Sequence, residues 1–244
     1  MINQFTNFAN RDVMELVIAD YNSQKPILNF PLANATATSV TGDAVYAYGG
    51  HNRPQRVSFY GNRSGEFRIE TQMQNYALYS IMTGASVENT AKFIEREEIT
   101  ATEDGTLELA NAPVGDVNVF TAADDCGTPL EGATAAGAVL SCDGVVSGES
   151  YVVYYIKEYT QGVTNIRIKA NTVPKNVTIY GTTFSKTEDD EIVAQKVVVY
   201  KAAPNLEAEW GFSNDGDPST LTLTFTMLAD KKDDALMDLI TIEE

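Results

Sequence analysis

The sequence predicts a mostly β protein with one flanking α-helix. Alternation of apolar and polar residues, which is typical of half-exposed strands, recurs from residue 92 into the C-terminal third. Helical periodicity bounded by capping residues is clear in one stretch, close to residue 75. The 244 residues suffice for one large β domain or two small ones, each with a hydrophobic core.

The first forty residues predict an arm rather than a packed element. Residues 3–22 carry a short apolar series that fits a helical turn or an extended segment. Residues 25–41 are rich in Ala, Asn, Thr and Pro and show no period. Because a structureless piece of this length is unusual inside a compact domain, we expect residues 1–41 to form an N-terminal arm that orders against another subunit. A mobile terminus is the alternative.

Two short strands and a polar loop are predicted next. Ala44–Tyr48 and Arg56–Tyr60 alternate as strands do, and the Gly- and Pro-containing segment Gly49–Pro54 between them reads as a loop. A second turn is predicted at Gly61–Gly65. It leads into another strand, Glu66–Glu70.

The helix is predicted over residues 72–82. Thr71 stands where an N-cap belongs, Gln74 follows at capping-box spacing, and Gly84 is placed to end the helix. One face is formed by residues at i, i+3, i+4, i+7 and i+8. We expect this face, and Met73 and Tyr76 in it, to be core. Its members are Met73, Tyr76, Ala77, Ser80 and Ile81.

The middle of the chain predicts a small β-sandwich. The segment 99–114 contains a Glu-Asp-Gly turn between alternating residues, which indicates a hairpin. Strands follow at 116–121, 138–142 and 151–159. Turn signals at this spacing are typical of a compact sandwich, so residues 99–159 form a candidate module.

Further strands fill the last third. They are predicted within 163–170, 176–184, 191–202 and 219–228, with an acidic turn at 186–191. In the last strand Leu, Phe and Met alternate with Thr, as in an antiparallel strand covering a core. The end of the chain, residues 229–244, fits a short helix or a final strand.

No catalytic constellation is found. His51 is the sole histidine and lies in a loop, without the Ser or Cys context of a nucleophilic triad. One His and two separated Cys do not make a zinc site. The acidic runs 188–191 and 214–217 match no spaced Ca²⁺ loop. We therefore expect no catalytic residue, no cofactor and no metal, although carboxylates suited to glycoside hydrolysis are abundant.

The charge and the cysteines limit other classes. A net charge of −17 and a pI near 4.4 argue against a surface that grips nucleic acid. The N-terminal residues lack a basic region followed by an apolar run, and no segment reaches the roughly 18 apolar residues of a membrane span, so we expect a cytosol-like compartment. There Cys126 and Cys142 are expected as free thiols, with a disulfide as the alternative.

Four arginines are concentrated in one short stretch of this acidic chain. They lie within 53–68, and as an inter-subunit contact they would pair with carboxylates of a neighbour. Four solvated arginines are the alternative. The candidate contact set is Gly49, Gly50, His51, Arg53, Arg56, Arg63 and Arg68.

The order of these features resembles the tail tube (major tail) proteins of tailed bacteriophages. The resemblance rests on four stretches: the strand–loop–strand and capped helix Tyr46–Gly84; the segment 99–114 followed by 147–155; the run 170–175 leading to Gly181; and GFSNDGDPSTLTLTFTML at 211–228.

The resemblance implies a β-sandwich subunit that forms a barrel with its neighbours. Residues 1–98 and 160–244 would form the tail-tube-like core, and 99–159 an inserted Ig-like module on the outside. Subunits would close into rings, usually hexameric, that stack into a tube through which DNA is ejected. An acidic lumen would let DNA pass without binding.

The implied partners are copies of the chain and other tail proteins. These are a sheath or terminator and a tape measure in the bore, with transient passage of DNA and no membrane insertion. The protein would be assembled in the host cytoplasm and reside in the virion tail. The alternatives are a phage head or decoration protein, or a β-sandwich adhesin or carbohydrate-binding module using Trp210 and the strand at Tyr151.

Overall fold

The computed structural model of the chain describes residues 7–205, 211, 216 and 218–242. Strands predominate, with 54% of residues in strands and 4% in helix. The predicted mostly β fold class with one helix is thus confirmed, and it is consistent with a β-sandwich. The chain divides into two compact units: residues 1–86 with 168–244, called the body, and residues 87–167, called the module.

The body contains a nine-stranded sheet and one helix. The sheet order is β3-β2-β14-β15-β16-β5-β4, with β1 paired to β14 and β17 paired to β15. The body elements are β1 (Phe8–Asn10), β2 (Glu15–Asp20), β3 (Pro26–Phe30), β4 (Ala35–Tyr48), β5 (Gln55–Thr71), α1 (Tyr76–Thr83), β14 (Val177–Thr187), β15 (Ile192–Pro204), β16 (Leu221–Met227) and β17 (Met237–Ile242).

The module is built from two three-stranded sheets. The orders are β7-β12-β9 and β10-β11-β8, and β6 pairs with β13 as a separate ladder. The elements are β6 (Ser86–Glu88), β7 (Ala91–Thr100), β8 (Leu107–Glu108), β9 (Val117–Thr121), β10 (Thr134–Ala136), β11 (Val139–Ser141), β12 (Ser150–Tyr159) and β13 (Asn165–Arg167).

One hydrophobic cluster joins the body strands to α1. In strand β16 the Leu, Phe and Met side chains are buried in this cluster and the threonines are half-buried, as the alternation predicts. Phe225 of β16 lies directly opposite Phe67 of β5, and both are fully buried. From α1 the cluster receives Leu78, Ile81 and Met82.

The helix is shorter than predicted. It begins after Asn75, whose side chain accepts a hydrogen bond from the Leu78 N–H at 3.0 Å. Thr71 is not the cap, because it is the last residue of β5 and pairs with Leu221. Its hydroxyl instead accepts a hydrogen bond from the Met73 N–H. Gly84 ends the helix with a left-handed φ of 69°, as predicted.

The expected core face of the helix is wrong in two places. Met73 precedes the helix and is 60% exposed, and Tyr76 is 52% exposed. The helix starts four residues later than predicted, and its buried side chains are Leu78, Ile81 and Met82.

The predicted arm is also corrected, because much of residues 1–41 belongs to the sheet. Strand β2 pairs with β14 over six residues, and its Leu16 and Ile18 are fully buried. Strand β3 and the first part of β4 occupy most of the segment expected to lack structure. The Ala- and Thr-rich run of β4 is extended because it pairs along β5.

The turn predicted at Gly61–Gly65 is a continuous part of β5. Gly65 pairs with both β4 and β16, and a Cβ there would lie 2.6 Å from the Met227 Sδ, so glycine permits close strand packing. At Gly61 and Asn62 the ladder holds a β-bulge, where two residues of β5 oppose Asp43 of β4.

The remaining strand predictions agree with the structure more closely. The strands predicted at 116–121, 138–142, 151–159, 176–184, 191–202 and 219–228 are present, with bounds that differ by a few residues. The strand predicted within 163–170 is reduced to β13, and the segment 229–244 contains the strand β17. The segment 99–114 turns at Gly105, but β7 and β8 do not pair with each other. They join different sheets, which a local turn signal does not reveal.

Truncation of a central core side chain should destabilise the body. We expect Phe225→Ala to lower the free energy of unfolding by about 3–5 kcal/mol, because a fully buried aromatic leaves a cavity. Urea denaturation followed by circular dichroism measures this. The control is Val173→Ala at a residue 76% exposed, where we expect a change below about 0.5 kcal/mol. Equal losses in both variants would contradict this description of the core.

The module should fold without the body. It has a core of its own, and we expect the fragment 87–167 to unfold cooperatively on heating and to give a dispersed amide NMR spectrum. Leu140→Asp in the same fragment, at a fully buried residue, should abolish both signals. A wild-type fragment that is unfolded would show that the module depends on the body. The core residues are Ala101, Leu107, Leu109, Val119, Leu140, Tyr151, Val153 and Tyr155.

Candidate assembly surfaces

The longest exposed element is the hairpin of β4 and β5. All residues from Gln55 to Ser64 are exposed, whereas Gly65, Phe67, Ile69 and Thr71 are buried against β16. Residues 41–64 are called the distal hairpin. Ten residues of β5 at the usual strand rise give it a length of about 30 Å beyond β16. A two-stranded ribbon of this length is marginally stable on its own.

The bulge decides which side chains share a face of the distal hairpin. On the β16 side of the bulge, the face of β5 opposite the core carries the even-numbered residues Glu66 and Arg68, and the hydroxyls of Ser64 and Thr41 meet at 3.0 Å. On the side of the hairpin tip, the odd-numbered residues of β5 lie on this outer face instead. Phe59 then pairs with Val45, and Val57 with Ala47.

Apolar groups therefore cover both faces of the distal hairpin. The outer face carries the aliphatic and Phe side chains, with Val45 68%, Val57 50% and Phe59 60% exposed. The other face carries Tyr46, which is 43% exposed, and Tyr60, which is 86% exposed. Exposed patches of this kind mark sites of contact with other proteins.

The loop Gly49–Pro54 closes the hairpin. The Gly49 N–H donates to Pro54 O at 3.3 Å, and the Arg53 N–H donates to Gly50 O at 3.2 Å. Gly50, Asn52 and Arg53 have positive φ angles. His51 lies exposed at the tip. The loop thus has a defined backbone that presents its side chains to solvent.

The four arginines do not form one cluster. Arg56 donates through Nε to Gly49 O at 3.3 Å, within the loop. Arg68 lies about 40 Å further along β5 by strand rise and binds Glu70 at 2.7 Å. Arg63 stands between them, opposite Gly42. Among the described residues no ion pair joins Arg53, Arg56 or Arg63 to a carboxylate, so these three remain available to a partner.

Charge differs sharply between the two units. Residues 87–167 contain 14 Asp and Glu against four Lys and Arg, whereas the rest of the chain contains 20 against 13. Most of the acidic excess, −10 of −17, therefore lies in the module. The net charge of the whole chain does not reveal this concentration in one unit, which depends on the boundaries of the units.

A polar cluster fastens a loop of the module to its sheet. Arg96 Nη2 lies 2.8 Å from Asp125 Oδ2 and lowers the pKa of that carboxyl. The Tyr154 hydroxyl donates to Asp125 Oδ1 at 3.0 Å. The contact of the Cys126 thiol, burial and Asp125 together raise the pKa of Tyr154. These groups are mutually satisfied, so the cluster is a structural anchor.

Both cysteines are free. The Cys126 thiol contacts the Tyr154 hydroxyl at 3.3 Å. The Cys142 thiol donates to Glu131 O at 3.2 Å, and burial raises its pKa, which reduces the thiolate population.

The strand at Tyr151 does not offer that side chain for carbohydrate binding. Tyr151 is 2% exposed and belongs to the module core. Trp210 lies outside the described residues. In the described part of the chain no group of three His, Cys, Asp or Glu side chains could hold a metal ion. None of the helices described there is long and apolar enough to span a bilayer.

A comparison with protein-family models finds a match over most of the chain. The YomU/Tube protein family matches residues 10–242, which includes the body and the module. No curated protein matches the chain. The family match confirms the resemblance to phage tube proteins, which are structural components of the virion tail. Because the match covers nearly the whole chain, the chain belongs to the YomU/Tube protein family.

Proposed function

We propose that the chain is a non-enzymatic building block of a phage tail tube. Copies assemble into rings, hexameric by analogy with tail tube proteins, and the rings stack into a tube through which DNA is ejected. The observation that carries the proposal is the distal hairpin, about 30 Å long and apolar on both exposed faces. A monomer leaves this surface in water, whereas neighbours on both sides would bury it.

Unpaired strand edges support assembly independently. Within the described residues, β3, β4 and β17 are each paired along one side only. Exposed edges are prone to aggregation unless a partner strand or a closed ring covers them. Strand β17 combines a free edge with Leu239, which is 76% exposed. Ring closure through such edges would form the barrel that lines a bore.

The loop Gly49–Pro54 is the proposed contact between stacked rings. It lies at the end of the distal hairpin and presents His51 and Arg53 to solvent. Arg56 and Arg63 extend the cationic surface along β5 and would pair with carboxylates of a neighbouring copy. Arg68 has a partner in Glu70, so it contributes least.

The remaining partners and the role of the module follow from the same proposal. The tube would bind a sheath or terminator and hold a tape measure, and it would be assembled in the host cytoplasm before joining the virion. The module, with most of the acidic excess, would be displayed outside the tube. Passage of DNA would then depend on the low cationic charge of the bore, because DNA binding requires many Lys and Arg contacts.

Self-assembly is tested on the purified full chain. We expect rings or hollow tubes in negative-stain electron microscopy, with a sedimentation profile that shifts to large species as protein concentration rises. A tail initiator can be added to overcome slow nucleation. A chain that remains monomeric at high concentration, with and without the initiator, would refute the proposed function. Particles that instead decorate isolated capsids would favour a head protein.

Exchange of the loop tests its role in stacking. Replacing Gly49–Pro54 with Asn-Gly, a tight turn that fits the strand pair Tyr48 and Gln55, should abolish tubes but leave folded subunits and single rings. The control places Asn-Gly at Gly137–Ala138, the two-residue turn between β10 and β11. That variant should form normal tubes. Tubes of normal length from the loop variant would disprove the stacking role.

A further inference from the structure

A groove at the β14–β15 end of the body matches the outer face of the distal hairpin. The groove has a volume of about 320 Å³ and is bounded by β1, the segment after it and the β14–β15 hairpin. Its apolar lining includes Phe184, which is 51% exposed, and Ile192, which is 73% exposed. Large apolar side chains are exposed to water on both surfaces, and their burial against each other would lower the free energy.

Charge at the two surfaces is complementary. Arg11, Asp12 and Lys186 lie in the lining of the groove. The Asp12 carboxylate accepts a hydrogen bond from the Val13 N–H at 2.9 Å. Lys186 is held by Asp190 at 2.6 Å, whereas no ion pair in the described part of the chain engages Arg11. On the hairpin, Asp43 opposes the bulge and shares the outer face with Val45. With Lys186 paired to Asp190, Arg11 is the cation at the border of the groove that can pair with Asp43 of another copy.

The sheet places the groove and the hairpin tip toward the same end of the body. Strands β5 and β15 are both antiparallel to β16, so they run parallel to each other. Met227 of β16 pairs with both Gly65 of β5 and Ala202 of β15, so these two residues lie at the same level of the sheet. Gln55 is ten residues before Gly65, and Ile192 is ten residues before Ala202. Measured along the strands, the tip reaches the level of the groove.

The hairpin does not fill the groove of its own chain. Along this length β15 is paired with β17 instead of β5, and Phe59 and Ile192 are both mostly exposed. The occupant that fits is therefore the hairpin of another copy placed at the same level, which is the position of a neighbour in a ring.

We propose that the outer face of the distal hairpin, formed by Val45, Val57 and Phe59, docks into the Phe184–Ile192 groove of the adjacent copy in the ring, with Asp43 paired to Arg11. This inference rests on the proposed tube function and specifies one contact within it. It assigns the apolar groove as the receptor and the hairpin as the ligand.

Disulfide trapping in assembled tubes tests the contact. In a Cys126→Ser, Cys142→Ser background, Phe59→Cys is combined with Ile192→Cys. Mild oxidation of the tubes should give a ladder of covalent multimers on a denaturing gel. The matched control combines Tyr60→Cys with Ile192→Cys, because Tyr60 is adjacent in sequence but lies on the other face. We expect crosslinking at least about tenfold slower in that control.

The outcomes separate this contact from the proposed function. Tubes that form normally but give no ladder for Phe59→Cys with Ile192→Cys, or an equal ladder for the Tyr60→Cys control, would overturn the docking while leaving tube assembly intact. A wild-type chain that forms no assemblies would overturn both.

A charge exchange gives a second readout where the cysteine variants fail to assemble. Asp43→Arg and Arg11→Asp should each reduce the yield of tubes by at least about tenfold, and the double variant should restore most of it. Glu66→Arg, an exposed charge change nearer the base of the hairpin, is the control and should leave the yield unchanged. Single variants without effect, or a double variant without rescue, would contradict the Asp43–Arg11 contact.

Discussion

The body depends on the pairing of β16 with β5. Seven cross-strand pairs from Leu221 to Met227 hold the base of the long hairpin, whereas β16 pairs with β15 through only three residues. Phe225 and Phe67 meet in the middle of this ladder, fully buried, and Gly65 allows Met227 to pack at its edge. Because β16 is the strand that holds β5, the distal hairpin is attached to the buried cluster of the body through this ladder. The hairpin can then extend into solvent without disturbing the rest of the sheet.

The sequence predicts strands well where burial follows local alternation, as in β16. It fails where pairing over long distances decides the structure. The Ala- and Thr-rich run of β4 has no clear period, yet it is extended because β5 pairs with it along its whole length. Thr71 resembles a helix cap, but its pairing with Leu221 keeps it in the sheet and Asn75 caps the helix instead.

For the candidate surface, too, local sequence predicts some features, and long-range pairing decides the others. Sequence composition locates the loop Gly49–Pro54 and its arginines, but it assigns Gly61–Gly65 to a turn and so hides the length of the hairpin. The two apolar faces become visible only when the register is known, since the bulge at Gly61 and Asn62 changes which residues of β5 share a face. The charge imbalance between the body and the module needed only a count of residues within the correct boundaries.

The bulge affects the direction of the hairpin separately from the composition of its two faces. Without Asn62, regular pairing would run from Thr41 to Ala47 with the same cross-strand partners, so the chemistry of each face would be kept. The bend and extra twist that a bulge introduces would be lost, and the hairpin would point elsewhere. The direction of the hairpin thus depends on one extra residue, and the composition of its faces depends on others. Insertion or deletion of a single codon at the bulge can therefore redirect the hairpin while its faces are preserved.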